Sequence, residues 1–153
     1  LKKNKKTISS TLIRKLLSNG KLDIANRFLG KNWEIEGEVQ KGRKVGSKIG
    51  FATCNIDISD YIIAKPGVYS VKVKLDKRTK KINGIANLGY RPTFNQKKIL
   101  LEVNLFNFKR NIYNHKIRVE FIKFIRSEKK FKNIKLLTNQ IKKDIKVAKK
   151  SLS

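Results

Sequence analysis

The spacing of apolar side chains divides the chain into a helical start, a long middle of strands and a helical end. Near the start, apolar residues recur three and four positions apart, which is the spacing of one face of a helix. A first helix is predicted from an N-cap at Ser9 or Ser10 to a terminator at Gly20. A second short helix is predicted from Leu22 to Leu29, and Gly30 is suited to end it.

From Trp33 onward the apolar period changes to that of a strand. The stretch "GVYSVKVKL" alternates apolar and polar residues, and related patterns recur in "WEIEGEVQKG", "KINGIANLG", "ILLEVNLFNF" and "HKIRVEFIKFI". The last stretch, "FKNIKLLTNQIKKDIKVAKK", returns to helical spacing. Its predicted apolar stripe consists of Ile134, Leu137, Ile141, Ile145 and Ala148. Some six strands in succession without intervening helices favour an antiparallel barrel or sandwich.

Length and composition restrict the class of protein. A chain of 153 residues corresponds to one domain or a little more. It contains no Met and begins with Leu1, which we interpret as a fragment or a processed piece of a longer chain. No apolar run approaches the ~18 residues of a membrane span, and none near the start resembles a signal peptide. One cysteine and one histidine cannot form a zinc cluster, and a cytoplasmic location is predicted.

The formal net charge of +27 at pH 7 would ordinarily indicate a nucleic-acid partner. However, only 8 of the 38 basic residues are Arg, and the basic residues are spread from Lys2 to Lys150. A nucleic-acid face favours clustered basic residues with more Arg. We therefore interpret the charge as a compositional bias, and nucleic acid is not an expected partner. An anionic small molecule such as a nucleotide is compatible with this charge.

A glycine-bearing basic loop precedes the stretch "GFATCN". The loop "GRKVGSK" does not match the G-x-x-x-x-G-K-[ST] phosphate-binding pattern, and the protein-kinase motifs are absent from the sequence. If the next stretch is extended, Thr53 and Asn55 project to the same face because they are two residues apart. Their neutral oxygens are the kind of ligand that Mg²⁺ uses when a nucleotide's phosphates supply the others. The alternative is a strand edge whose polar side chains bond to nearby backbone.

A candidate base lies in the stretch "LLEVNLF", in which Glu102 and Asn104 share one face of a predicted strand. Glu102 is the only acidic residue in this apolar strand. Phosphoryl transfer to an alcohol requires positioning, charge neutralisation and a group that accepts the hydroxyl proton. A carboxylate near a metal site could accept that proton, although a solvent-facing carboxylate is the simpler interpretation of Glu102 alone.

Six stretches in a fixed order carry a family resemblance: "GxxxGxxxGFATCN", "PGVYSVKV", "GIANLGYRPTF", "LEVNLFNF", "IYNHKIRVEFIKFIRSEKKF" and "QIKKDI". From about Trp33 to Lys150 the chain resembles the riboflavin kinase domain of bacterial bifunctional riboflavin kinase/FMN adenylyltransferase, also called FAD synthetase. The resemblance implies a six-stranded antiparallel Greek-key barrel with a C-terminal helix. It also implies an ATP:riboflavin 5′-phosphotransferase that makes FMN and ADP and requires Mg²⁺ or another divalent metal.

The resemblance also assigns individual residues. Thr53 and Asn55 are expected at the metal ion, and Glu102 is expected to be the base on the ribityl 5′-hydroxyl. The residues assigned to ATP are Gly42, Gly46, Lys48, Thr53 and Asn55. The residues assigned to riboflavin or FMN are Arg126, Lys129, Asn87 and Arg91, with Asn87 to Phe94 forming a flap.

The chain departs from the family pattern in the phosphate-binding region. The family usually reads G-F-P-T-A-N, whereas Ala52 and Cys54 stand here in place of the proline and the alanine. Loss of the proline frees the backbone before Thr53. The family loop usually carries Arg or Lys where Ser47 stands. Lys48 can substitute as a point charge but cannot reproduce a bidentate Arg.

Residues 1–30 resemble the end of the preceding adenylyltransferase domain, whose "ISSxxIR" motif is present as "ISSTLIR". We predict that residues 1–30 are a remnant of that domain with linker helices, and that residues 31–153 are the kinase domain. The H-x-G-H signature of the nucleotidyltransferases is absent, since His115 is the only histidine. FMN adenylyltransferase activity is therefore expected only in a full-length chain, where that domain acts in cis.

Two alternatives remain at the level of sequence. The first is a basic β-barrel that binds single-stranded nucleic acid, for which aromatic platforms among basic residues are needed. Its candidate cluster consists of Phe106, Phe108, Lys109, Arg110 and Tyr113. The second is a degenerate kinase that binds flavin without turnover.

Overall fold

A computed structural model describes residues 10–40, 53–58, 64–76, 80–92 and 97–153. The helices of these ranges are α1 (Ser10–Ser18), α2 (Leu22–Leu29) and α3 (Ile134–Leu152). The strands are β1 (Glu34–Gln40), β2 (Cys54–Asp57), β3 (Gly67–Lys74), β4 (Ile82–Pro92), β5 (Lys97–Leu105) and β6 (Lys116–Ser127).

The six strands form a closed antiparallel barrel in the order β1-β2-β5-β4-β3-β6. This confirms the predicted fold class and decides between barrel and sandwich. The apolar face predicted in "GVYSVKVKL" is confirmed, since Tyr69, Val71, Val73 and Leu75 are all buried. The other face does not alternate to solvent at the start of β3, because Val68 and Ser70 are buried as well. Apolar side chains from the other strands complete the barrel core: Ile35, Val39, Ile56, Ala86, Leu88, Leu101, Val103, Ile117, Val119 and Phe121.

The two N-terminal helices pack against the barrel. Helix α2 has the predicted bounds and ends at Gly30, whose φ of 71° lies in the left-handed region that glycine adopts readily. Leu17 of α1 and Leu22 of α2 are buried in the same apolar cluster as the barrel core. The Asn26 side chain of α2 donates to the Phe121 carbonyl of β6 over 3.0 Å. These contacts provide the apolar faces of both short helices with a partner.

Helix α3 packs against β3, β4 and β6. Its N-cap is Asn133, whose side chain accepts a hydrogen bond from the Leu136 N–H over 2.9 Å. The buried residues of the helix include Ala148, as predicted, together with Asp144 and Leu152. The prediction that Ile134 belongs to the apolar stripe is wrong, because this side chain is 65% exposed. Ile134 is the first residue of the helix.

Gly67 marks a close approach between β3 and β6. Its φ is +156°, and a Cβ placed there would lie 2.2 Å from the Arg126 carbonyl oxygen. A side chain at this position would push the two strands apart, so glycine is required where β3 begins.

Candidate active site

Asn55, Glu102 and Asn87 form a polar row across three adjacent strands. In the strand register Asn55 of β2 lies opposite Glu102 of β5, and Glu102 lies opposite Asn87 of β4. The neighbours of Glu102 along β5 are Leu101 and Val103, which are fully buried in the core. Because successive strand residues alternate between faces, Glu102 and its two cross-strand partners project from the outer face of the barrel.

Thr53 and Asn55 place two oxygen atoms beside this row. Thr53 immediately precedes β2, and both side chains are half-buried. Thr53 Oγ1 and Asn55 Oδ1 are buried, and neither has a hydrogen-bond partner within the described part of the chain. Leaving a buried polar atom without a partner costs about 1–3 kcal/mol. The two atoms are therefore suited to accept a ligand, and hard oxygens of this kind fit a magnesium ion that also binds phosphates.

The candidate metal ligands Thr53 and Asn55 are neutral, unlike the ligands of a metal site built from several carboxylates. Across residues 10–40, 53–58, 64–76, 80–92 and 97–153, no group of three His, Cys, Asp or Glu side chains is placed to hold a metal ion. A metal at Thr53 and Asn55 would therefore depend on neutral oxygens, with Glu102 nearby, and on phosphate oxygens from a nucleotide. This composition fits Mg²⁺, which is bound through few protein groups when phosphates are present.

Cys54 faces the opposite way from its two neighbours. Its half-buried thiol packs against the core and donates a weak hydrogen bond to the Val103 carbonyl over 3.5 Å. Burial raises the pKa of Cys54 to about 11. The thiol is therefore protonated at neutral pH and does not join the oxygens of Thr53 and Asn55.

Two further polar residues extend the outer face, of which the sequence analysis had placed only Asn104 on the same face as Glu102. Gln40 of β1 is exposed and lies opposite Asn55 in the register. Asn104 follows Glu102 by two residues and is half-buried. The strand alternation places Asn104 beside Glu102, but the position of Gln40 depends on the pairing of β1 with β2, which local sequence does not reveal.

The residues assigned to flavin fall into two groups. Asn87 is exposed and lies directly beside Glu102. Arg126 lies farther around the barrel, opposite Val68, and its guanidinium is held by Asp144 of α3 at 2.8 Å. Lys129 is exposed in the segment between β6 and α3.

The other four assigned positions are Arg91 and the three nucleotide-loop residues Gly42, Gly46 and Lys48. Arg91 is placed in β4 by the backbone register opposite Lys98. Gly42, Gly46 and Lys48, which were assigned to ATP, lie outside the described residues, as do Ser47 and Ala52.

The segment "LGYRP" of β4 is fixed to the rest of the barrel by close contacts. A Cβ at Gly89 would lie 2.5 Å from the Glu128 carboxylate, so the end of that exposed side chain would have to move aside for a larger residue. The Tyr90 hydroxyl donates to the Ala64 carbonyl over 3.1 Å. Burial, together with the negative charge of Glu128, raises the pKa of Tyr90. This part of the predicted flap is therefore anchored at its start.

The aromatic cluster of the nucleic-acid alternative serves packing. Phe108 packs against the core, and Phe106 is half-buried with the Lys149 ammonium 5.3 Å from its ring centroid. Only Tyr113 is substantially exposed among these three rings, at 42%. Base stacking requires several accessible rings, so this face is unsuited to single strands.

A β-barrel that gathers hydroxyl, amide and carboxylate oxygens on one outer face is suited to phosphoryl transfer. The riboflavin kinase family model matches residues 29–152, and the chain belongs to this family. The resemblance found in the sequence is thereby confirmed.

Two relatives show how much of a longer protein is present. The bifunctional riboflavin kinase/FMN adenylyltransferase of Bacillus subtilis is 45% identical over 143 residues, which cover 91% of this chain and 45% of that protein. The Haemophilus influenzae protein of the same name is 47% identical over 142 residues, covering 93% and 46% respectively. The chain thus spans less than half the length of these relatives.

Two solved structures share the fold. A Streptococcus pneumoniae structure described as a macrolide-efflux protein has a TM-score of 0.85 and 33% identity, and the match covers 95% of this chain and 47% of that one. Riboflavin kinase from Trypanosoma brucei has a TM-score of 0.55 at 19% identity, with 78% of each chain covered. Within the described residues, no helix is both long and apolar enough to span a membrane.

Proposed function

We propose that this chain transfers the γ-phosphate of ATP to the 5′-hydroxyl of riboflavin, giving FMN and ADP. The observation that carries the proposal is the juxtaposition of Asn55 and Glu102 in the strand register, next to the buried oxygens of Thr53 and Asn55. Membership of the riboflavin kinase family and the names of the relatives support the same activity.

In the proposed reaction, one part of the site accepts a proton and another part binds the phosphates. A bond forms between the ribityl oxygen and the γ-phosphorus while the bond from that phosphorus to the leaving ADP oxygen breaks. Glu102 accepts the proton that the hydroxyl loses. Thr53 and Asn55 would hold a divalent ion, which neutralises phosphate charge when bound. The rest of the contribution of this chain is to orient the two substrates.

The remaining assignments are part of the proposal. Gly42, Gly46 and Lys48 would cover the nucleotide, and Lys129, Asn87 and Arg91 would contact riboflavin. Arg126 would also lie beside riboflavin, with its guanidinium oriented by the hydrogen bond to Asp144.

The full-length protein would carry a second activity. The relatives are named for FMN adenylyltransferase as well as riboflavin kinase, and this chain spans less than half of their length. We therefore propose that residues 1–30 belong to the linker from an adenylyltransferase domain that acts in cis, and that the present chain makes FMN but not FAD. A cytoplasmic location, where ATP is available, belongs to the same proposal.

The test is to incubate the purified chain with riboflavin, ATP and MgCl₂ and to separate riboflavin, FMN and FAD by chromatography. FMN is the expected product, and a folded chain that makes none would overturn the proposed function. Glu102→Gln keeps the shape but cannot accept the proton, so the rate should fall by about 10² or more. Glu34→Gln is the matched control, because Glu34 is an exposed strand glutamate on β1. A Glu102→Gln variant as active as this control would remove Glu102 from the mechanism.

A further inference from the structure

Asn87 lies between an apolar neighbour and the proposed base. On one side its cross-strand partner is Glu102 of β5, and on the other it is Val68 of β3. Its neighbours along β4, Ala86 and Leu88, are buried in the core at 1% and 0% exposure. The side chain of Asn87 therefore projects from the outer face, where it is exposed and shares that face with Glu102.

Side-chain chemistry decides which residue donates in a hydrogen bond between Asn87 and Glu102. Directly opposed residues in an antiparallel pair have Cβ atoms about 4.5–5.5 Å apart, within reach of short polar side chains. The carboxamide of Asn87 carries two N–H donors, and the Glu102 carboxylate is an acceptor. The Val68 side chain offers no acceptor, so of the two residues directly opposite Asn87 only Glu102 has a side chain that can accept a hydrogen bond.

Asn55, on the other side of Glu102, has a different place in the site. Its Oδ1 atom is buried without a partner among the described residues and is proposed to face the metal ion. Asn55 and Asn87 thus flank the same carboxylate from two strands, one on the proposed phosphate side and one on the opposite side.

We propose that Asn87 is a positioning residue for Glu102. Its amide N–H donates to the carboxylate and holds one oxygen in the orientation that accepts the ribityl proton. This inference rests on the proposed kinase function and adds to it, because a flavin contact alone would give Asn87 no role in the action of Glu102. A base held in one orientation reacts faster than one that must first rotate into place.

The first test separates positioning from flavin binding by steady-state kinetics. Asn87→Leu removes both donors at similar volume, and kcat at saturating riboflavin and ATP should fall by about tenfold or more while the KM for ATP changes less than twofold. Loss of the proposed riboflavin contact would appear separately, as a raised KM for riboflavin. Asn87→Asp keeps the shape but supplies a carboxylate without a proton to donate, so its kcat should fall at least as far. An unchanged kcat with a raised KM for riboflavin would show a flavin contact instead and overturn the inference.

The control is Asn83→Leu, on the same strand. Asn83 is also exposed, lies opposite Lys72, and is four residues from Asn87, which is about 13 Å along a strand. Its replacement should leave kcat unchanged. Circular dichroism and the melting temperature verify folding of each variant, and Asn87→Asp provides the near-isosteric change if Asn87→Leu is unstable.

The second test is a double-mutant cycle with Glu102→Gln. If Asn87 acts through Glu102, then adding Asn87→Leu to Glu102→Gln should lower kcat by less than twofold, since no base remains to be oriented. A further tenfold fall in the double variant would overturn the inference alone. A wild-type chain that makes no FMN would overturn the proposed function, and a fully active Glu102→Gln variant would overturn the assignment of the base. In either of those two cases the inference about Asn87 also fails.

Discussion

Arg126 of the last strand and Asp144 of the C-terminal helix are joined by a forked ion pair. Arg126 Nε lies 3.0 Å from Asp144 Oδ1, and Arg126 Nη2 lies 2.8 Å from Asp144 Oδ2. The two side chains are only 20% and 5% exposed. Asp144 also accepts a hydrogen bond from Gln140 Nε2 over 2.9 Å. The pair thus fixes α3 on the barrel at a point sheltered from water.

Breaking this pair should destabilise the fold strongly. Asp144→Ala leaves the Arg126 guanidinium sheltered without its carboxylate, which should lower the free energy of unfolding by about 3–5 kcal/mol. Replacing both residues together by Leu should cost much less, because no unpaired charge remains. Urea denaturation measures both values. Asp23→Ala is the control, since the Asp23–Arg27 pair spans 3.9 Å with side chains about three-quarters exposed and should contribute less than about 1 kcal/mol. Equal losses for the two single variants would contradict the assigned role of the pair.

The buried oxygens at the proposed phosphate site should lower the stability of the fold but strengthen nucleotide binding. Thr53→Val replaces an unpaired buried hydroxyl by a methyl group, so the free energy of unfolding should stay the same or rise. Mg²⁺-dependent ATP binding should weaken, because an oxygen ligand is lost. Asn55→Leu should weaken it likewise. Calorimetric titration of ATP with and without Mg²⁺, beside a titration of riboflavin, distinguishes a local effect from unfolding. Normal Mg-ATP affinity in either variant would exclude that side chain from the metal site.

The Cys54 thiol should be nearly inert in the folded protein. Because burial raises its pKa to about 11, only about one thiol in a thousand is ionised at pH 8. Alkylation by iodoacetamide at pH 8 should therefore be slow in buffer and fast in denaturing urea. The rate in buffer should rise with pH toward 11, provided that the fold persists. Rapid labelling of the native protein at pH 8 would contradict the packing of this side chain.

The ionised Glu120 carboxylate should stabilise the fold at neutral pH, and this stabilisation should be lost at acid pH. Burial alone would raise the pKa of Glu120. However, its carboxylate accepts hydrogen bonds from the Lys81 ammonium at 2.8 Å and from the Asn32 amide at 3.3 Å. Together with the positive charges of Lys81 and Lys72, these bonds lower the pKa of Glu120 below its ordinary value. A lowered pKa in the folded state means that the ionised carboxylate stabilises the fold above about pH 4.3, the ordinary glutamate value. This contribution disappears as the pH falls through the folded-state pKa.

Comparison of Glu120→Gln with the wild type tests this sign. At pH 7 the variant should be less stable by about 1–3 kcal/mol, and the difference should shrink below pH 4. Glu38→Gln, at an exposed position of β1, is the control and should show little difference at either pH. A difference that grew on acidification would contradict the assigned environment of Glu120.

Local sequence predicted the elements well because their signals are local. The bounds of α2 and the apolar face of β3 follow from residues within a few positions of each other. The shared face of Thr53 and Asn55 was predicted from their spacing of two residues, and the side-chain oxygen of each is buried.

The cross-strand relationships could not be predicted in this way. Asn55 and Glu102 are 47 positions apart, and their juxtaposition depends on β2 pairing with β5 instead of the next strand along the chain. The Arg126–Asp144 pair was missed for a different reason. Asp144 lies on the buried side of α3, where a helical stripe is expected to be apolar, and this single interruption was the available signal.

The barrel closes through its final strand. β6 pairs with β1 on one side and β3 on the other, so the ring has two open edges until β6 joins it. During synthesis on a ribosome, β1 and β3 therefore emerge long before their common partner, and their unpaired backbone groups are exposed to other chains. Folding of the complete ring must wait for release of the segment that ends at Ser127. The order in which the strands are made thus places the commitment to the native topology after the synthesis of all six strands.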